Sequence, residues 1–166
     1  MNGFTEHQTP EASETQARRD VIFTWEQAEQ MLPLVRHIIK DLLESQDRLF
    51  RFEIEKESLD QRRHSLDWPQ RSRRYQLGEE ISREHKRIRA ISNELLDLGV
   101  VLVDLELGQT GFPTVVNNRR ALFSWRPGDG GIENWHFAQT TQRRPVPESW
   151  KEGQKDARVK RKKSAK

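Results

Sequence analysis

Two stretches of a seven-residue apolar repeat limit what this chain can fold into. In the first, one set of positions reads Ala28, Val35, Leu42, Leu49, Lys56 and the other Met31, Ile38, Ser45, Phe52, Leu59. Eight of these ten are apolar, and the residues between them are mostly polar or charged. Such spacing is a helix with one apolar seam, of the coiled-coil kind. The second stretch reads Leu77, Ile81, Glu84, Ile88, Ile91, Leu95, Leu98, with six of seven apolar. Two seamed helices with a short link form an antiparallel helical hairpin. A helix from Trp25 to about Arg63 spans roughly 60 Å at about 1.5 Å per residue. That exceeds a compact small domain, so part of it must project.

Local signals mark the ends. Thr24 ahead of Gln27 fits a capping box, and Phe23 before it fits a hydrophobic staple. Pro33 predicts a kink or a break. Pro69 fits a first helical turn, but Gly78 weakens the start, so the second helix is expected to begin anywhere from 69 to 79. Gly99 follows Leu98 as a left-handed helix end.

The period then changes to two. Val101, Val103, Leu105 and Leu107 alternate with Val100, Leu102, Asp104 and Glu106, which predicts a strand with one apolar and one acidic face. Further strands are expected at Thr114–Val116, Ala121–Trp125 and Ile132–Phe137, with turns at Asn117-Asn118 and Pro127–Gly131. The fold class is therefore α+β: a long antiparallel helical hairpin followed by a small antiparallel β-sheet.

Composition excludes several functions. The chain has 166 residues and no cysteine, so it has no disulfide, thiolate metal site or thiol nucleophile. No apolar run approaches the roughly 20 residues of a membrane span. The first 20 residues hold no apolar run either, so no secretory signal is expected. A cytoplasmic location follows. The formal charge of +3 is uneven, because residues 150–166 carry eight Lys/Arg against two acids. Residues 1–20 read as a disordered leader, 21–147 as the folded unit, and 148–166 as a disordered basic tail.

Three clusters could carry function. The stretch Ser124-Trp125-Arg126, Asp129, Glu133-Asn134-Trp135-His136 puts several ionisable groups on one hairpin. His136 facing Asp104, Glu106 or Asp129 would suit a divalent metal or a general base. No cofactor is predicted, and a divalent metal is the one such group this pattern could hold. The bland alternative packs Trp135 and Phe137 on the helices and leaves His136 at the sheet surface. Arg126, Arg143 and Arg144 could clamp an anion or stack on Trp125 and other rings. At the hairpin tip, Arg62, Arg63, His64, Arg71, Arg73 and Arg74 surround Trp68 and Tyr75, a mixture that suits phosphates and bases. Lys160, Arg161, Lys162 and Lys163 add attraction for any polyanion. No recognisable catalytic spacing is present.

Several of these motifs also resemble a known family. They are Phe23-Thr24 with Ala28, Leu32-Pro33-Leu34-Val35, Leu98-Gly99-Val100, Asp104-Leu105-Glu106-Leu107-Gly108 and Phe112-Pro113. Ser124-Trp125-Arg126, Trp135-His136 and Arg143-Arg144-Pro145 complete the set. Together they are similar to a bacterial family known as a domain of unknown function, DUF2203, over about residues 21–147. Gly111 stands where similar proteins usually have Asp, and Gly128-Asp129 where they usually have Gly-Glu. The resemblance implies a helical hairpin with a small β unit and implies no activity. The reading that follows is a non-catalytic module, paired as a homodimer through its helices and drawn to nucleic acid or another polyanion. The alternative is a small metal-dependent or ligand-binding enzyme at the Trp-His hairpin.

Overall fold

The computed structural model describes residues 21–152. Its two long helices are α1 (Trp25–Gln61) and α2 (Trp68–Asp97). The strands are β1 (Val101–Asp104), β2 (Gln109–Val116), β3 (Arg119–Trp125), β4 (Asn134–Phe137) and β5 (Arg144–Pro145), and a short α3 (Glu148–Glu152) follows. The strands form one antiparallel sheet in the order β1-β2-β3-β4-β5. The α+β hairpin-and-sheet architecture expected from the two periods is the architecture present. Among the described residues no helix is long and apolar enough to cross a membrane.

The caps explain the helix limits. Thr24 Oγ1 accepts from the Gln27 amide at 3.2 Å, and Gln27 returns the bond to the Thr24 amide at 2.9 Å. Asp67 and Gln70 repeat that box for α2, which therefore starts at Trp68 and carries Gly78 in its interior. Gly99, at φ +77°, ends α2 as expected. The helix α1 runs on through Pro33 without a break. A proline there costs about 3 kcal/mol. Leu32 and Val35 beside it are fully packed in the core, and burial of each is worth about 1.5–3 kcal/mol.

The sheet lies across the first half of α1. Its inner face carries Phe112, Phe123, Trp125 and Trp135, packed on Ala28, Leu32, Val35, Ile39 and Leu42. Side chains of α1 also clasp the loops: Trp25 Nε1 donates to Ile132 O at 2.9 Å, Arg36 Nη2 to Gly130 O at 2.5 Å and Gln46 Nε2 to Leu105 O at 2.8 Å, and Glu29 Oε1 accepts from Ile132 N at 2.5 Å. Beyond Gln46 the hairpin projects alone. There it holds a separate small core of Leu59, Leu66 and Leu77 with Phe52. Between the two cores, Arg48 bonds Ser45 and Glu84, two of the three residues that interrupt the apolar seams.

Three expectations change. The alternation over 101–107 does not become one strand: β1 ends at Asp104, whose Oδ1 accepts from the Leu107 amide at 2.9 Å and closes a turn. Asp104 and Glu106 therefore do not share a strand face. Next, β2 begins five residues ahead of Thr114 and includes Pro113. That proline is tolerated because β1 ends short of it, and the open side of β2 at Pro113 offers its carbonyl to Phe23 N at 2.6 Å. Last, Glu148–Glu152, in the stretch assigned to the tail, forms α3, and Trp150 stacks on Trp135 at 5.2 Å between ring centroids.

Candidate functional site

The hairpin tip is built by the end of α1, the link 62–67 and the first turns of α2. Pro69 and the Asp67 cap hold the α2 start, and this fixes Trp68 and Tyr75 seven residues apart on the outward face. Both rings are 73% exposed. Arg71 lies between them, and with Ser72, Gln76 and Glu79 these residues line a shallow concavity of about 450 Å³.

The six basic residues at the tip are not equivalent. Arg73 bonds Glu55 at 2.7 and 2.8 Å and Glu80 at 3.2 and 3.3 Å. The Glu55 bond raises the Arg73 pKa above its ordinary value, and the Arg73 bond lowers that of Glu55. Arg74 pairs with Asp60, which also accepts from Lys56 at 2.7 Å. Bonds from Lys56 and Arg74 hold the Asp60 carboxyl below its usual range. Arg73 and Arg74 thus tie the two helices together across the seam. Arg62 bonds the Ser58 carbonyl at 3.3 Å, and Arg63 bonds His64 Nε2 at 3.1 Å, neither of which neutralises a cation. Among the described residues Arg62, Arg63 and Arg71 form no salt bridge, and the tip's positive charge gathers on them. Lys160, Arg161, Lys162 and Lys163 lie outside the described residues.

The second cluster sits at one end of the sheet. The loop Pro127–Gly131 brings Asp129 back beneath β3. Its Oδ2 accepts from the Arg126 amide at 3.1 Å and from the Arg143 guanidinium, which also reaches Ser124 O at 3.4 Å. Arg126 Nε lies 3.9 Å from Asp129 Oδ1. Trp125 Nε1 donates to the Asp129 carbonyl at 3.3 Å. Asp129 is thus committed to the chain's own donors. Arg144 stands over the Trp135 and Phe137 rings at 5.7 and 5.6 Å.

His136 lies on the other face of the sheet from Trp135 and Phe137, as the alternation predicts. It is not at the surface, however, being only 2% exposed. The β4–β5 ladder pairs Asn134 with Pro145 and Trp135 with Arg144, and Arg143 directly precedes β5. His136 Nδ1 lies 2.9 Å from the Phe137 carbonyl. Its Nε2, and Arg143 Nε, have no hydrogen-bond partner among the described residues. Glu133 and Glu106 are exposed. No three His, Cys, Asp or Glu side chains come together as a metal would require among the described residues. Buried Gln109, bonded to Ser124 of the candidate stretch at 3.2 Å, also lines this end and escaped the sequence reading because it is not titratable.

A third feature went unread in the sequence. Val21, Ile22, Leu96, Val101 and Val115 wall a groove of about 510 Å³ around the outer sheet face. Their apolar character was visible, but which face lacks a cover was not.

Comparison with curated proteins and with solved structures returns no match. The family model described as "Uncharacterized conserved protein (DUF2203)" matches residues 21–147, the hairpin and the sheet together, and the chain belongs to the DUF2203 family.

Proposed function

We propose that this chain is a non-catalytic cytoplasmic binding module that self-associates through its helices and holds single-stranded nucleic acid at the hairpin tip. The observation that carries this is the pair of exposed rings, Trp68 and Tyr75, with Arg71 between them. Large apolar rings left in water on a capped, rigid helix invite a stacking partner. A base stacked on such a ring contributes about 1–3 kcal/mol, and an arginine alongside reaches the phosphate. The Lys/Arg-rich segment after residue 150 adds attraction that carries no sequence information.

The test is anisotropy of a labelled oligothymidylate titrated with the full chain. Trp68→Ala with Tyr75→Ala is expected to weaken binding by about 10-fold or more, given about 1–3 kcal/mol per stacked base. Arg71→Ala is expected to flatten the salt dependence. Binding that ignores the aromatic pair, or that vanishes once residues 153–166 are removed, overturns the tip reading.

One observation favours a second reading, a small-ligand site at the Trp-His hairpin. Two buried nitrogens, His136 Nε2 on β4 and Arg143 Nε just ahead of β5, have no hydrogen-bond partner among the described residues. Unsatisfied buried donors and acceptors cost about 1–3 kcal/mol each. An oxygen that accepts from Arg143 and meets His136 would satisfy both, as a hydroxy acid or a phosphate could. Ring-nitrogen NMR shifts of His136 that move with added lactate or inorganic phosphate support this reading, and unmoved shifts exclude it for these ligands.

A further inference from the structure

The face of α1 that the sheet covers does not stop where the sheet stops. Arg36, Leu43, Phe50 and Glu57 recur at seven-residue spacing, and so do Lys40, Asp47, Ile54 and Gln61. Both sets lie on one side of the helix. Arg36 meets the sheet there, bonding Gly130 O and standing 5.7 Å from the Trp125 ring. Leu43 packs on the main core and, with Ile39, Trp125 and Pro127, lines an apolar concavity of about 480 Å³. Gln46 makes the last hydrogen bond from this side of α1 to the β unit. Past it the same side carries Phe50 at 61% and Ile54 at 55% exposure, with nothing laid over them among the described residues. This stripe is separate from the seam that joins α1 to α2.

Its charge order identifies what fits. Cations, Arg36 and Lys40, stand at one end, an acid, Glu57, at the other, and Leu43, Phe50 and Ile54 lie between, with Asp47 among them paired to Arg51 of its own helix. A copy running in the same direction would set Lys40 on Lys40 and Glu57 on Glu57. A copy running in the opposite direction sets the partner's Glu57 against Lys40 and the partner's Ile54 against Leu43. The two Phe50 rings then flank the axis. The stripe is complementary to itself only when reversed, which is the requirement of an isologous two-fold interface. We propose that a second copy of this chain packs antiparallel along the second half of α1, so that each hairpin covers the stripe the other's sheet leaves open. The result is a four-helix arrangement with a sheet at each end. The two tips then point in opposite directions, with Trp68 and Tyr75 on α2 outside the interface. This inference rests on the self-association part of the reading above and adds its surface and direction.

Solution mass and thiol trapping of the full chain test it. Sedimentation is expected to give twice the 19.6 kDa chain mass. Phe50→Glu with Ile54→Glu is expected to weaken the dimer at least about 30-fold, the effect of losing one hot-spot residue. Its circular dichroism should be unchanged, because both side chains are exposed. The chain has no cysteine of its own, so introduced thiols report cleanly. The double variant Lys40→Cys with Glu57→Cys should oxidise to a covalent dimer. Either single variant should not, because like positions then lie about 25 Å apart at about 1.5 Å per residue. A monomer overturns both this interface and the self-association reading. A dimer that survives the glutamates without trapping overturns the interface and leaves self-association standing. Trapping by a single variant overturns the antiparallel direction.

Discussion

Replacing Asp129 with alanine is expected to destabilise the fold by about 2–3 kcal/mol, somewhat below the roughly 3–5 kcal/mol for losing one partner of a fully buried pair. The discount reflects side chains of Asp129 and Arg143 that are each 15% exposed. The loss has two parts. The Arg126 amide loses its acceptor. The Arg143 guanidinium keeps only the 3.4 Å contact to Ser124 O, while its Nε already lacks a partner among the described residues. A cation is thereby left poorly solvated at the sheet end. Asp129→Asn should cost about half as much, since it keeps an acceptor for Arg126 N and gives up the charge. Arg143→Met should cost less than Asp129→Ala, because the remaining carboxylate still holds the Arg126 amide and stays beside its side chain. Urea midpoints of these variants and of the double variant measure the coupling directly.

The same experiment separates two roles for this loop. A carboxylate kept for a metal or a substrate is commonly a burden on the empty protein, and its removal stabilises the chain. A carboxylate kept as a clasp does the opposite. Asp129→Ala with an unchanged or raised midpoint would falsify the clasp and return Asp129 to the candidate ligands.

Much of the architecture was legible because its signals are local. The Thr24–Gln27 box, Gly99 as a left-handed helix end and the Asn117-Asn118 turn, at φ 50° and 59°, each need only a few adjacent residues. The alternation over 134–137 correctly separated Trp135 and Phe137 from His136. The misreadings share one cause: they depend on what lies across the chain. Pro113 fell outside the strand expected at Thr114–Val116, yet β1 ends short of it, so β2 can carry a proline there. His136 was assigned a face correctly, but its burial to 2% exposure depends on what the rest of the fold lays over that face. The tip arginines looked like one basic patch, while Arg73 and Arg74 are held by Glu55, Glu80 and Asp60 from the same hairpin. The stripe at Leu43, Phe50 and Ile54 was visible as a spacing. It was masked by the stronger seam in the same helix.

Removing Glu84 alone and removing its whole polar layer are expected to have opposite signs. Ser45 and Glu84 each stand where the repeat calls for an apolar residue, one on each helix. Arg48 joins them, donating from Nη2 to Ser45 Oγ at 2.9 Å and from Nε to Glu84 Oε1 at 3.1 Å. The Glu84 bond raises the Arg48 pKa above its ordinary value. Glu84→Ala should cost about 1.5–3 kcal/mol, less than the roughly 3–5 kcal/mol of a fully buried pair. The reduction arises because the Arg48 side chain is 34% exposed and its head can turn to water, whereas that of Glu84 is 10% exposed. The triple variant Ser45→Ala, Arg48→Leu, Glu84→Leu completes the apolar seam. Its stability from urea unfolding should match or exceed the wild type's by up to about 3 kcal/mol, as buried ionic groups replaced by packed hydrophobes do. Stability is then not what the layer supplies. It lies between the sheet-side core and the small tip core, where a seam of leucines could slide by a turn. A polar triad satisfied in one alignment only sets the axial register of the two helices, and with it the position of Trp68 and Tyr75. The triple variant should therefore show extra or broadened tip resonances in a ¹⁵N correlation spectrum despite its higher midpoint. A single sharp set of tip signals in that variant would remove register from the list of things this layer does.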